Sequence, residues 1–283
     1  MYSDVLLTVD FDRTLTGTDS TIPQRNIDAI RHFMAHGGVF TVNTGRSLPM
    51  AAHNILGKVP VNAPLLLYNG SADYDTAKGE FTRAAEIDLD AGAVLADLQT
   101  RFPTLHVEIQ GIAGHHLIRE DAGWEYYCQK NHCAHSYVTP NTIPQPFVKF
   151  AINGQFRDGT VADMYQATQE ELALFQEVED YIHAHHGHKV DMFRACPRIL
   201  DVHAKDCSKL NAARTLQKTL GKKHLICVGD AENDLTMLEG ADAAYCPADG
   251  VIAHRFENVC PCDQGAIADV IYEKIPQWLK MQK

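Results

Sequence analysis

The sequence has no long hydrophobic run and little of the basic charge that polyanion binding requires. No apolar stretch approaches the ~18 residues of a membrane-spanning helix. Lysine and arginine total 25 against 36 aspartate and glutamate residues, which gives a net charge of −11. Nucleic acids and anionic membrane surfaces are bound through basic faces, so we expect neither as a partner. A small anionic substrate needs only a local positive site and is compatible with this composition.

Signals for export and for phosphate-loop nucleotide binding are also missing. The first residues, Met1-Tyr2-Ser3-Asp4, carry no basic segment of the kind that begins a secretory signal, so we expect a cytoplasmic protein. No GxxxxGK[ST] loop is present. The eight cysteines lie mostly in apolar surroundings, as Cys227 does, which favours reduced thiols over a disulfide scaffold.

Two kinds of segment divide the chain, whose 283 residues can hold two domains. Near both ends, short apolar segments such as "VLLTV" and "HLICV" alternate with amphipathic helical segments, which is typical of a parallel sheet covered on both faces. In the middle, "LHVEIQ", "HHLIRE", "FVKFAIN" and "HKVDMFR" alternate apolar with polar residues, as strands with one solvated face do. We therefore predict an α/β fold: a doubly wound parallel-sheet core (1–80 and 197–283) with an inserted α+β domain (81–196).

Acidic and polar residues follow the predicted core strands at their carboxyl ends. Asp10 and Asp12 follow the first strand and point the same way from an extended segment. The others follow the second strand and a late one: Thr44, Gly45, Asp230, Asn233 and Asp234. Ligands of open α/β sheets bind beyond these strand ends. Clustered carboxylates repel unless a cation lies between them, and an all-oxygen ligand set selects Mg²⁺.

A lysine completes this group. Lys209 lies near the start of the helix predicted in "CSKLNAARTLQKTLG", where the helix N-terminus favours an anion. Metal, lysine, hydroxyl and free backbone amides together predict a phosphate site. The histidine-rich run at 183–188 is instead typical of the solvated end of a helix.

Four segments in this order resemble the motifs of the haloacid dehalogenase superfamily: "DFDRT", "NTGR", Lys209 at the head of a late helix, and "GDAEND". The insertion and the "YNG" segment are similar to the Cof-type hydrolases with a type II (IIB) cap. The resemblance covers nearly the whole chain and implies a Rossmann-like core, a mobile cap and a Mg²⁺-dependent phosphatase. The family usually has glycine, which permits a tight turn, where this chain has Arg13.

The resemblance also implies a role for each motif residue. Asp10 is the nucleophile and a metal ligand, and Asp12 is the general acid and base that lends its backbone carbonyl to the metal. Asp230 binds the metal, and Asp234 supports it directly or through water. The phosphate would be held or positioned by five residues: Phe11 through its amide, Thr44, Gly45, Lys209 and Asn233.

The predicted function is Mg²⁺-dependent hydrolysis of a small phosphorylated metabolite, with sugar phosphates as the first substrate class, through an aspartyl phosphate. Two alternatives stay open. A sugar phosphomutase of the related cap type would return the phosphoryl group to a sugar, and a non-catalytic sugar-phosphate sensor would bind without turnover. Product analysis separates the first alternative from a phosphatase. The joint presence of Asp10, Asp12, Lys209 and Asp230 disfavours the second, because a sensor has no need of a nucleophile.

Overall fold

The computed structural model describes residues 1–112, 114–144, 146–154 and 166–282. Contacts group the chain into two units. The core unit comprises Met1–Gly45, Ile55–Arg83 and Ser208–Lys283. The inserted unit comprises Arg46–Asn54 and Ala84–Cys207.

Strands and helices are numbered in chain order. The strands are β1 (Val5–Val9), β2 (Val39–Val42), β3 (Leu65–Leu67), β4 (Ala72–Asp75), β5 (Glu80–Ala84), β6 (His106–Gly111), β7 (His115–Leu117), β8 (His135–Tyr137), β9 (Phe147–Asn153), β10 (Val190–Cys196), β11 (Ile199–Ala204), β12 (His224–Val228), β13 (Ala243–Pro247) and β14 (Glu257–Val259). The helices are α1 (Gln24–Ala35), α2 (Leu48–Ile55), α3 (Ala91–Arg101), α4 (Ala122–Lys130), α5 (Gln169–His186), α6 (Lys209–Thr219), α7 (Leu235–Glu239), α8 (Ala266–Asp269) and α9 (Ile275–Met281).

A parallel sheet forms the centre of the core unit, with strand order β14-β13-β12-β1-β2. Every residue of β1 is apolar or threonine and is buried, as expected for a strand covered on both faces. Val9 pairs with Val228 on one side and with Val42 on the other. The residues that follow these three strands therefore lie at the same edge of the sheet.

Two helices of the core unit show how local sequence sets element boundaries. Helix α1 buries Ile27, Ile30 and Phe33 on one face, and the chain turns after it at Gly37, whose φ is +92°. Helix α6 begins directly after Ser208, whose side chain caps it by accepting a hydrogen bond from a backbone N–H. This cap fixes where Lys209, the first residue of α6, enters the site.

The inserted unit is built on a six-stranded sheet of order β10-β11-β9-β6-β7-β8, antiparallel except for the β7–β8 pair. One face of this sheet, including Val107, Ile109 and Phe150, packs with apolar residues of α3 and α5. Helix α5 starts with a capping box between Thr168 and Glu171. Together the two units confirm the predicted fold class, a parallel α/β core with an inserted α+β domain.

The opposite face of the inserted sheet, here called the polar face, is polar but buried. It carries His106, Glu108, Gln110, Lys149, Asn153, Asp201 and His203, none of them more than 6% exposed. The alternation in β6 and β9 was expected to mark a solvated face, and for these strands that expectation is wrong. The ring of Trp124 on α4 stacks on His106. Ser47, the residue before α2, hydrogen bonds to His115. Side chains from α4 and from the start of α2 therefore cover part of this face.

The unit boundaries also differ from those expected from the sequence. Helix α2 was placed in the core, but it packs Met50 against Cys128 and Cys133 of the inserted unit. The stretch 197–207 contains β11, which pairs with β9 and β10 and so belongs to the inserted sheet. Residues 113, 145 and 155–165 of the predicted insertion, and residue 283 of the predicted core, lie outside the described residues. Within the described part of the chain, each helix is too short or too polar to cross a bilayer.

Candidate active site

Three buried carboxylates lie together at the carboxyl edge of the core sheet. Asp10 directly follows β1, and Asp230 and Asp234 follow β12. One oxygen from each carboxylate lies within 4.8 Å of the others, and all three side chains are buried. Such a group could hold a metal ion.

Lys209 binds two of these carboxylates. Its Nζ donates to Asp10 Oδ1 at 2.5 Å and to Asp234 Oδ1 at 2.6 Å. Burial lowers the pKa of Lys209, but the two carboxylates outweigh burial and hold its pKa above the ordinary value. The lysine is therefore a fixed positive charge inside the site.

One lysine does not balance three carboxylates. Burial raises the pKa of Asp10 well above its ordinary value, and its carboxylate neighbours, Asp234 first, raise it further against the opposing effect of Lys209. Burial and Asp234 likewise raise the pKa of Asp230 to about 7. The site is short of positive charge, and its donor atoms are all oxygens of the kind that hard divalent cations prefer.

Backbone contacts hold the two carboxylates that follow β12. Asp234 Oδ2 accepts hydrogen bonds from the backbone N–H groups of Asp230 and Ala231 at 3.0 and 3.1 Å. A Cβ at position 229 would lie 2.5 Å from Asp234 Cγ, so the close approach requires Gly229. Thr14 Oγ1 donates to Asp230 Oδ1 at 3.0 Å and joins the first motif to the last.

The turn after β1 contains the departure from the family pattern. Arg13 has φ 58° and ψ 11°, the left-handed conformation that glycine adopts without strain. Its backbone N–H donates to Thr16 Oγ1 at 3.1 Å, and its side chain is exposed. The turn therefore forms with arginine in the glycine position. Phe11 and Asp12 follow Asp10 in this turn, the first buried and the second half-buried.

The second motif meets a segment that follows β3. Thr44 donates its backbone N–H to Leu66 O, and its carbonyl accepts from Asn69 N at 3.0 Å. A Cβ on Gly45 would lie 2.8 Å from Asn69 Oδ1. That same oxygen accepts from Asn233 Nδ2 at 3.5 Å. Asn69 thus lies between the second and the last motif.

All the residues predicted for the site lie in the core unit. Asp10, Lys209, Asp230 and Asp234 form the cluster itself. The remaining predicted residues, Phe11, Asp12, Thr44, Gly45 and Asn233, occupy the turns that follow β1, β2 and β12. Away from the site, the histidines at 183, 185 and 188 are exposed around the end of α5, as expected.

Sequence analysis missed three polar residues of this site. Thr14 and Asn69 make the contacts described above, and Asn43 Nδ2 donates to the carbonyl of Lys209 at 2.8 Å, which anchors the start of α6. Asn69 is the central residue of the "YNG" segment, and its position after a buried strand was the available signal. Thr14 and Asn43 lie within the motifs already singled out.

Comparison with known proteins identifies the family of this chain. The model of the haloacid dehalogenase-like hydrolase family matches residues 7–251. The chain is 25% identical over 251 residues to the Bacillus subtilis (strain 168) protein named "Putative phosphatase YxeH", a match that covers 87% of this chain and 88% of that protein.

Solved structures share the fold. SMU.1108c from Streptococcus mutans UA159 superposes with a TM-score of 0.77 at 16% identity, covering 98% of this chain and 100% of that chain. BT4131, described as a sugar phosphatase of subclass IIB of the same superfamily, has a TM-score of 0.71 at 16% identity, covering 98% of this chain and 99% of that chain. The family model spans most of the sequence, and all of the site residues lie inside it. This chain therefore belongs to the haloacid dehalogenase-like hydrolase family.

Proposed function

We propose that this protein is a Mg²⁺-dependent phosphatase that hydrolyses a small phosphorylated metabolite, with sugar phosphates as the first class to test. The observation that carries the proposal is the buried cluster in which Lys209 binds Asp10 and Asp234. Family membership supports the reaction class, and the sugar phosphatase BT4131, which shares the fold, supports the substrate class. The eight cysteines are free, which fits a protein of the reducing cytoplasm.

The carboxylate cluster fits a magnesium ion. Three carboxylates against one ammonium group leave an excess of negative charge, and every donor is oxygen. Asp10, Asp230 and Asp234 would hold the ion, with the backbone carbonyl of Asp12 as a further ligand. When bound, Mg²⁺ neutralises charge on the phosphoryl oxygens and favours the ionised form of the nucleophile.

The first half of the reaction transfers the phosphoryl group to the enzyme. A carboxylate oxygen of Asp10 attacks phosphorus, and the bond between phosphorus and the ester oxygen breaks. Asp12, in its protonated form, donates a proton to the departing oxygen and so releases the alcohol. Lys209 neutralises charge beside the nucleophile throughout, because two carboxylates keep it protonated.

The second half regenerates the enzyme. Asp12, now ionised, takes a proton from water as that water attacks phosphorus, and the bond between phosphorus and Asp10 breaks to release inorganic phosphate. Thr44, the amides of Phe11 and Gly45, and Asn233 would hold the phosphoryl oxygens. These donors lie in turns that follow neighbouring parallel strands, at the edge where open α/β sheets bind their ligands.

The test is phosphate release across a panel of phosphorylated sugars and other phosphorylated metabolites, with Asp10→Asn as the inactive control. We expect inorganic phosphate as a product, loss of activity on chelation and recovery with Mg²⁺. Full turnover in excess chelator would contradict the metal assignment. Formation of an isomer without free phosphate would indicate a phosphomutase, and binding without turnover would indicate a sensor.

A further inference from the structure

A second group of potential metal ligands lies in the inserted unit. Glu108 on β6, His115 on β7 and Cys128 on α4 each offer one donor atom, and these atoms lie within 4.8 Å of one another. All three residues are at most 2% exposed. The proposed phosphatase chemistry uses none of them.

The hydrogen bonds of His115 define a position for a cation. Its Nε2 lies 2.7 Å from Ser47 Oγ, and its Nδ1 hydrogen bonds to Glu108 Oε1. A bare lone pair on Nδ1 would repel the carboxylate oxygen, so the two atoms share a proton, and a metal ion would replace that proton as the two atoms move apart. Cys128 adds a sulfur donor to that position.

The surrounding contacts resemble those that orient the ligands of metal sites. A metal-binding histidine usually donates its other ring N–H, and Nε2 of His115 has Ser47 Oγ as that partner. Gln110 Nε2 donates to the second oxygen of Glu108 at 2.9 Å and so fixes the carboxylate. Both contacts hold the ligand atoms in orientation before any ion binds.

A second cysteine lies beside the group. Cys133 follows Cys128 by five residues, its backbone N–H donates to Cys128 O at 2.8 Å, and its thiol contacts the His115 ring. Cysteine pairs close in sequence are typical of structural zinc sites. Both thiols are free and buried.

We propose that Glu108, His115 and Cys128 bind a structural zinc ion in the inserted unit, with Cys133 as a further donor. Carboxylate, imidazole and thiolate together match zinc better than magnesium, which prefers oxygen alone. One carboxylate and one thiolate neutralise a divalent ion, as a buried site requires. On binding, the thiol proton and the proton shared by Glu108 and His115 leave to solvent.

The ion would connect parts of the inserted unit that are distant in sequence. It would join β6, β7 and α4, and through His115 it would hold Ser47, the residue before α2. The proposal is independent of the phosphatase reaction, because it uses residues of the inserted unit alone.

The experiment uses the full chain purified from zinc-supplemented medium. We expect about one zinc ion per chain by elemental analysis. After zinc removal, titration with Co²⁺ should produce a thiolate-to-cobalt charge-transfer band. Cys128→Ala should abolish the band and the bound zinc. Cys196→Ala, a buried cysteine of the same unit outside this group, and Asp230→Asn, in the core cluster, should retain both.

The outcomes are decisive in both directions. A cobalt spectrum without a thiolate band in the wild-type protein overturns the proposal, even if Cys128→Ala fails to fold. So does a disulfide between Cys128 and Cys133, detected as the loss of two titratable thiols. Zinc that is lost from Asp230→Asn but kept by Cys128→Ala would assign the metal to the core. None of these results bears on phosphate release, so the two proposals fail separately.

Discussion

In the two buried groups of ionisable side chains, a similar degree of burial accompanies carboxylate pKa shifts of opposite direction. In the core, burial raises the pKa of Asp10, and Lys209 does not offset it. In the inserted unit, burial would raise the pKa of Glu108 too, but His115 outweighs burial and lowers it to about 2. Burial lowers the pKa of His115 in turn, and Glu108 outweighs this and raises it to about 9. The difference is the balance of opposing charges.

This comparison separates two uses of buried charge. With no metal ion bound, a carboxylate matched by one imidazolium forms a nearly neutral pair. Three carboxylates matched by one ammonium group carry an excess of negative charge, and that excess is what a substrate-binding cation would satisfy.

The largest expected effect is on turnover. Asp10→Asn removes the proposed nucleophile while keeping the size of the side chain, so phosphoryl transfer should fall to background. The measurement is a rapid-quench assay with p-nitrophenyl phosphate, looking for a burst of p-nitrophenol. A burst that survives in Asp10→Asn would move the nucleophile to another residue.

Asp12→Ala is the matched comparison for that assay. Steady-state turnover should fall by about 10²–10⁴-fold, the usual contribution of general acid–base catalysis. A good leaving group needs no acid, so Asp12→Ala should still give a near-stoichiometric burst and then stall as the aspartyl phosphate. Loss of the burst in this variant as well would remove the distinction between the two aspartates.

The second effect is on stability. Lys209→Met leaves two buried carboxylates without their partner, so we expect the free energy of unfolding to fall by about 3–5 kcal/mol in metal-free buffer. Urea unfolding measures it. Lys205→Met, which removes an exposed ion pair with Asp191, should cost less than about 1 kcal/mol. Equal decreases in the free energy of unfolding of the two variants would mean that burial does not increase the stabilisation from the Lys209 contacts.

A pH effect should arise from the polar face. Burial and then the charge of Lys149 hold the pKa of His203 well below its ordinary value, so the folded protein keeps this ring neutral. The unfolded chain binds the proton below about pH 6.5, so stability falls as the pH drops. His203→Gln removes that proton and should make the fall shallower by up to about 1.4 kcal/mol per pH unit.

Urea unfolding at pH 7 and pH 5 measures this slope. The control is His183→Gln, because this histidine is exposed at the end of α5. The control should leave the slope close to that of the wild type. A slope unchanged in His203→Gln would show that the buried ring is protonated in the folded protein.

The smallest effect concerns the turn after β1. Arg13→Gly should raise the free energy of unfolding by about 0.5–1 kcal/mol. Glycine adopts the left-handed conformation without strain, and its greater freedom in the unfolded chain offsets part of this gain. Arg31→Gly, the same change within α1, should instead lower stability by about 1 kcal/mol. Thermal unfolding of both variants measures the contrast, and a loss of stability in Arg13→Gly would show that the arginine side chain contributes contacts of its own.

The core site was predictable because its residues follow apolar strands directly. Strands such as β1 and β12 are continuous apolar runs, and parallel pairing aligns their carboxyl ends. The position of each motif in the chain therefore determined its position at the sheet edge. Asn69 was harder to assign, because its role depends on contacts with Gly45 and Asn233 that only the folded chain brings together.

The burial of the polar face was not predictable, because it depends on what packs against the sheet rather than on the strands themselves. Alternation in β6 shows which side chains share a face but not what covers that face. Helix α4 was also missed, because only Trp124 and Cys128 are buried along it and they give no repeating apolar pattern. Its position depends on tertiary contacts such as the stacking of Trp124 on His106.

The assignment of α2 to the inserted unit has a consequence for modularity. The chain crosses between the units at positions 45/46, 54/55, 83/84 and 207/208, four times where a simple insertion crosses twice. Excising 84–207 would leave behind the segment 46–54, whose residues Arg46, Met50 and His53 contact Asn131, Cys128 and His132, respectively. The inserted unit is therefore discontinuous in sequence, and moving it into another protein would require both Arg46–Asn54 and Ala84–Cys207.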